Sequence, residues 1–279
     1  MSNFMKRSKS EIYDEQMELL MKSRPLLRYE RDYEVQKFTN EGELVLTGNR
    51  VDLANAKLLL AVDDFDQQTF DEVFEIKTGR WYVEDGWVVG RNIYMFPGMI
   101  MSRDDYFGNI MFTVRAKLVP PSTHDINLTI HGDWDEEKDT RGNGYVACLG
   151  SFWHGLVGFE KSPKYDITVA THIFDFDPEK EYLFSIANIG AKILIIVDGK
   201  VVLSVKDPQP MDVNKIGKIG VEAFSSWFKF KDMRVYELSY KTVKEYYLNE
   251  LNSFRFSMRI SGSRALAKDI IISDNKNNI

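Results

Sequence analysis

The feature that most constrains this chain is a succession of short alternating segments, cut by turn signals at intervals of about 8–12 residues. NIMFTVRAKLV puts Phe112, Val114, Ala116 and Leu118 on one side and Thr113, Arg115 and Lys117 on the other. HDINLTIHGDW does the same, with Ile126, Leu128 and Ile130 opposite Asn127, Thr129 and His131. GYVACLGSFW, YDITVATHIF, EYLFSIANIG, AKILIIVDGKVVLSV, KIGKIGVEAF and SWFKFKDMRVYEL extend the series. A period of two marks strands, because successive side chains leave the backbone on opposite faces. Asp85-Gly86 and Asp198-Gly199 are tight-hairpin signals, since both central residues of such a turn take positive φ. Strands that do not alternate with helices disfavour a parallel α/β sheet, and no internal repeat of the propeller kind is present. The expectation is an all-β, antiparallel sandwich or barrel.

Helical patterning is confined to the two ends. KSEIYDEQMELLMK places Ile12, Leu19 and Leu20 among charges, with Ser10 as N-cap and Pro25 as terminator. TVKEYYLNELNSF is helical in pattern, and the final SDNKNNI is polar. The 279 residues fit one large domain with extensions. The expected organisation is a helical extension over 1–24, a β-sandwich over 25–240, and a helix and tail over 241–279.

The charge balance narrows the partners. A net charge of −6 without a long basic block argues against nucleic acid. No apolar run approaches the roughly 20 residues of a membrane-spanning helix, so no membrane partner is expected. The basic N-terminal residues are not followed by the apolar core of a secretory signal, so a cytoplasmic location is expected. Cys148 is the only cysteine, which removes an internal disulfide and any cysteine-pair zinc spacing. Amid apolar strand residues it reads as a small core side chain.

DDFDQQTFDEVFEIKTGRWYVEDGWVVGR is similar to the entry segment of concanavalin A-like lectin/glucanase jelly rolls: an acidic-aromatic start, a W-x-V-x-D-G hairpin, then a strand. KIGKIGVEAFSSWFKFKDMRVYEL resembles their closing strands, and ILIIVDGKVVLSV their v-DG-k-v hairpin. The resemblance spans about residues 60–238 and extends to laminin G-like modules, polysaccharide-utilisation proteins of unknown function and keto-disaccharide hydrolase-like domains. It implies a concanavalin A-like jelly roll carrying short N- and C-terminal helices. Fold alone does not choose among the activities such proteins host. Glucanases of this superfamily carry an acid-x-acid-x-x-acid run on a strand. DWDEEKD offers Asp133, Asp135 and Glu137 instead, in a hydrophilic loop bracketed by Gly132 and TRGNG, so the chain departs from that pattern.

The resemblance further implies that saccharides lie on the concave face of the sandwich. Asn127, Thr129 and Arg115 point away from the apolar side of their strands and suit hydroxyl recognition. Trp134, Tyr145 and Trp153 suit the apolar face of a pyranose. His131, His154 and Glu160 are the candidate acid–base groups, Glu160 reaching back across a glycine-rich turn towards Trp153 and His154. The histidines have no H-E-x-x-H spacing, so no metal-ligand set is assigned; calcium on the acidic loop Asp133–Asp139 is the one cofactor considered. The functional expectation is a carbohydrate-active protein acting on an oligosaccharide or glycoside, as a glycoside hydrolase- or lyase-like enzyme. The alternative is a non-catalytic carbohydrate-binding or assembly module, in the latter case a homo-oligomer joined through the terminal helices.

Overall fold

A computed structural model gives the structure of the protein and describes residues 37–38, 42–46, 48–94, 96–151, 155–171 and 174–242. The helices expected over 9–22 and from 242 onwards, and the boundaries drawn at 24 and beyond 241, lie largely or wholly outside these residues. The described chain divides into two compact units, residues 55–239 and the described parts of 35–54 and 240–279. The smaller unit is a ribbon in which β1 (Lys37–Phe38) pairs antiparallel with β2 (Glu43–Leu46), and β2 with the start of β3 (Asn49–Val62). Among the described residues no helix is long and apolar enough to cross a membrane.

The larger unit is two antiparallel sheets around one core. Seven strands form the first sheet, in the order β14 (Thr168–Thr171), β13 (Leu156–Ser162), β12 (Gly144–Ser151), β9 (Ile126–Gly132), β18 (Lys218–Ala223), β7 (Gly98–Ser102) and β4 (Phe74–Ile76). In the second, β5 (Arg80–Glu84), β6 (Trp87–Asn92), β19 (Ser226–Thr242), β8 (Ile110–Leu118), β15 (Glu181–Ile189), β16 (Lys192–Val197) and β17 (Lys200–Lys206) lie side by side. The stretches GYVACLG and LVGFEK are therefore neighbouring strands, with Ala147 opposite Phe159. The residues between them, including Trp153 and His154, lie outside the described residues.

Period-two patterning accounts for the core. Phe112, Val114 and Ala116 of β8 and Phe228 and Phe230 of β19 meet Leu128 and Ile130 of β9, Tyr145 and Ala147 of β12, and Ile219 and Val221 of β18 in one buried cluster. Alternation gives each strand one apolar face, and burying it against the other sheet drives the two sheets together. Asp85 and Gly86 take φ of 50° and 79°, and Asp198 and Gly199 take 49° and 76°. These positive pairs match the twist that a two-residue hairpin needs. One short helix, α1 (Gln67–Val73), precedes the first sheet; the Asp66 carboxylate caps it by accepting from the Thr69 amide at 2.7 Å. Its buried Phe70 packs on Phe74.

The first hairpin is keyed by a tryptophan. Trp81 lies opposite Gly90, donates from its indole nitrogen to the Thr78 carbonyl at 3.0 Å, and meets Phe228 edge-on. A Cβ at Gly90 would come within 2.3 Å of the Trp81 ring. Gly90→Ala is accordingly expected to destabilise the protein by about 1–3 kcal/mol through overpacking, read as a lower urea midpoint at unchanged slope; an unchanged midpoint would contradict this packing.

Candidate functional site

The face of the seven-stranded sheet turned away from the core is largely buried and sets polar side chains among apolar ones such as Met99, Met101 and Val146. On β9, Ile126, Leu128 and Ile130 point into the sandwich, so Asn127 and Thr129 point out. The same alternation turns Glu222 out of β18, between core-facing Val221 and Ala223, and Glu160 out of β13, next to core-facing Phe159. Register sets Glu222 directly opposite Asn127, and the Asn127 amide donates to Glu222 Oε1 at 3.3 Å. Asn127, Thr129 and Glu222 are each less than 5% exposed.

Arg141 joins the two glutamates. It ends β11 (Thr140–Arg141), which pairs with β10 (Trp134–Asp135) as a two-stranded ribbon, Arg141 opposite Trp134. Its guanidinium donates from Nη1 to Glu222 Oε2 at 2.9 Å, and from Nη2 to Glu160 Oε2 at 3.2 Å and the Tyr165 hydroxyl at 2.9 Å. The guanidinium also lies 5.6 Å from the centre of the Tyr165 ring. Burial opposes its charge, but Glu222, Tyr165 and Glu160 outweigh that and hold the group above its ordinary pKa. Burial and then the charges of Glu222 and Glu160 push the Asp125 carboxyl well above the ordinary carboxylate range. Glu160 and Glu222 share the guanidinium.

Three polar atoms of this cluster are buried and find no hydrogen-bond partner among the described residues: Asn127 Oδ1, Thr129 Oγ1 and Arg141 Nε. One is an acceptor, one a donor, and the hydroxyl is either. An unpartnered buried polar group costs about 1–3 kcal/mol, so this face is incomplete as it stands.

Cys148 is buried, as expected, but on this polar face rather than in the core; it lies opposite Asn127 and Gly158, while its neighbours Ala147 and Leu149 point inward. Burial, together with Glu160 and Asp125, pushes its thiol well above the ordinary value, so it is unsuited to nucleophilic work.

The structure brings Glu160, Asn127 and Thr129 to one face, and Trp134 to the position opposite Arg141. It separates the others. Arg115 is on β8 in the other sheet, on that sheet's outer face, paired with Glu181 and Asp232. Outward on β8 and outward on β9 are opposite directions, which corrects its grouping with Asn127. Tyr145 faces the core: its hydroxyl donates to Asp207 Oδ2 at 2.8 Å and accepts from the Met211 amide at 2.9 Å. It offers no ring to a saccharide.

His131 also departs from its expected face. Between Thr129 and Gly132 strand β9 carries one more residue than β18, pairing Thr129 with Gly220 and Gly132 with Lys218. This bulge, with His131 at φ 50°, reverses the alternation and turns the ring inward against Tyr145. There His131 Nδ1 lies 3.0 Å from the Ile216 carbonyl and Nε2 2.9 Å from Asn188 Oδ1. Asn188 is oriented by accepting from the Ile110 amide and donating to the Gly108 carbonyl. The expected acid–base trio of His131, His154 and Glu160 is not assembled by the described residues: His131 and Glu160 face opposite sides of the sheet, and His154 is outside them.

On the acidic loop, Asp133 accepts from the backbone and side chain of Asn143, and Asp135 from the backbone and side chain of Lys138. These carboxylates fasten their own ribbon. Among the described residues no cluster of histidine, cysteine and acidic side chains is disposed to hold a metal ion. Sequence reasoning missed Arg141 and Glu222. The signal for Glu222 was a lone acid inside the apolar run KIGVEAF; Arg141, in the loop-like TRGNG, had none.

This arrangement, two antiparallel sheets packed face to face around one core, defines the class as a jelly-roll β-sandwich. No protein-family model and no curated protein sequence matches the chain. Among solved structures it is similar to one described with the endo-acting O-glycanases that prominent members of the human gut microbiota express to initiate mucin breakdown (TM-score 0.51, 14% identity, 66% of this chain and 100% of that one). It is also similar to a Bacillus subtilis protein of unknown function with a galectin-like fold (TM-score 0.50, 10% identity, 65% and 96%). The carbohydrate-binding module CBM66 from Bacillus subtilis aligns at TM-score 0.47 with 16% identity, over 59% of this chain and 95% of that one.

The buried His131 makes a pH-dependent test of this geometry. Burial lowers its pKa below the ordinary 6.5, outweighing the two hydrogen bonds that raise it. A depressed folded-state value means the folded protein binds fewer protons than the unfolded chain below that pH. The stabilising contribution of His131 is therefore present above pH 6.5 and lost as pH falls through that value. Urea unfolding across this window should show a steeper loss of stability on acidification for the parent protein than for His131→Gln. Parallel pH profiles would contradict the inward, desolvated ring.

Proposed function

We propose that the protein binds a saccharide on the outer face of its seven-stranded sheet, at the cluster of Asn127, Thr129, Arg141, Glu160 and Glu222. The observation that carries this reading is the set of unpartnered buried atoms, Asn127 Oδ1, Thr129 Oγ1 and Arg141 Nε. A hydroxyl donates to the first, accepts from the third and does either with the second. Glu160 and Glu222, with further acceptor capacity around a shared guanidinium, extend the hydrogen-bonding surface to neighbouring hydroxyls. The similarity to a structure described with O-glycanases supports the ligand class and leaves the role open.

Hydrolysis of the bound saccharide is the second reading, favoured by the grouping of Asp125, Glu160 and Glu222. Burial and the charges of Glu222 and Glu160 raise the pKa of Asp125, the direction that suits a general acid. In this reading Asp125 donates a proton to the leaving oxygen as the anomeric C–O bond breaks, and one glutamate takes a proton from the water that bonds to the anomeric carbon.

Thr129→Val separates binding from folding. It replaces the unpartnered hydroxyl by a methyl of similar size, so the thermal midpoint should hold or rise while affinity for the oligosaccharide selected on a glycan array falls roughly tenfold. Unchanged affinity in isothermal titration would overturn the assignment of the face. Release of reducing ends from the bound oligosaccharide, lost in Glu160→Gln or Glu222→Gln, would establish the hydrolytic reading, and its absence the binding one.

A further inference from the structure

The second sheet carries an outward face of different chemistry. Trp81, Val88, Ala116, Leu118, Phe228 and Phe230 face the core, so the residues alternating with them on β5, β6, β19 and β8 face out. There the register places like charges directly across from one another three times: Lys229 opposite Lys117, Lys231 opposite Arg115, and Arg80 opposite Arg91. Directly opposed like charges destabilise a sheet.

The ammonium groups gather at one ring. Lys117, Lys229 and Lys231 lie 4.8, 5.1 and 5.1 Å from the centre of the Trp87 ring. Acids compensate only part of this charge. Glu181 pairs with Lys117 and Arg115, Asp64 with Lys231, and Asp232 with Arg115 and Arg234; Glu84 stands opposite Trp87. Among the described residues no acid pairs with Lys229, Arg80 or Arg91; the two arginines lie over the rings of Tyr82 and Trp227. The side chains of Arg115, Lys117 and Lys231 are 30–40% exposed and so open to a ligand.

We infer that this face binds an anionic saccharide, a carboxylate or sulfate seated among Lys117, Lys229 and Lys231 and a sugar ring against Trp87. An anion relieves the opposed like charges, and the indole supplies the flat apolar surface that a pyranose ring covers. A short saccharide fits better than a nucleic acid for two reasons. The chain carries a net charge of −6, so a long polyanion extending beyond the patch meets repulsion. The lysines converge on a single ring, whereas single-stranded nucleic acid needs successive rings for successive bases. This second site takes its ligand class from the saccharide reading above but uses none of the same residues.

Titration with a heparin-derived tetrasaccharide tests the inference, with its desulfated form and a short oligothymidylate as comparators. The sulfated tetrasaccharide should bind, and more weakly as salt rises. Lys229→Ala and Trp87→Ala should each lower its affinity roughly tenfold, and Thr129→Val should leave it unchanged. Lys229→Ala should not lower the thermal midpoint, because it removes one of two opposed charges. No binding, tighter binding of the oligothymidylate, or affinity insensitive to Lys229→Ala would overturn the inference. Sulfated binding that persists where no neutral oligosaccharide binds would overturn the first site alone.

Discussion

A guanidinium taken out of water has to be neutralised where it sits, and that requirement organises the outer face of the seven-stranded sheet. Arg141 is almost wholly enclosed, and its two terminal nitrogens reach Glu222, Glu160 and Tyr165. A buried charge left without its partners costs about 3–5 kcal/mol, so these residues form an interdependent group. Glu222 is held in turn by Asn127, and burial, with the charges of Glu222 and Glu160, raises the proton affinity of Asp125. The β10–β11 ribbon is what presents Arg141 to the sheet, and Asp133, accepting from Asn143, fastens the chain that follows the ribbon.

The core sets the frame for this cluster. Because apolar residues alternate with polar ones on nearly every strand, burying the apolar set fixes which residues can reach each outer face. On the first sheet the outward set includes Asn127, Thr129, Glu160 and Glu222; on the second it includes Arg115, Lys117, Lys229 and Lys231. The two faces share the same core and point in opposite directions, so one sandwich displays two chemically distinct surfaces. His131 is the exception to alternation, and the bulge that turns it inward lets it tie β9 to Asn188 of β15 in the opposite sheet.

The strands, the two Asp-Gly turns and the pairing of GYVACLG with LVGFEK were legible in the sequence because they depend on neighbours within a few residues. The outward orientation of Asn127 and Thr129 was legible for the same reason. Sheet membership was not. Arg115 and Asn127 both point away from their apolar sides, but β8 pairs with β15 and β19 while β9 pairs with β12 and β18, and those pairings are long-range. The inward turn of His131 depends on one extra residue relative to β18, which period-two reading cannot register. Tyr145 was read for its aromatic ring, whereas its position on β12 shares the inward face of Ala147 and Leu149. The role of Arg141 arises only from the meeting of a ribbon with two strands distant in sequence.

The central claim is that the buried polar face of the seven-stranded sheet is completed by the hydroxyl groups of a saccharide. A crystal structure of the protein with the oligosaccharide selected by array screening tests it most directly. The account predicts sugar hydroxyls within hydrogen-bonding distance of Asn127 Oδ1, Thr129 Oγ1 and Arg141 Nε, with Glu160 and Glu222 still holding the guanidinium. A saccharide bound elsewhere, with water or a protein group satisfying those three atoms, would contradict it.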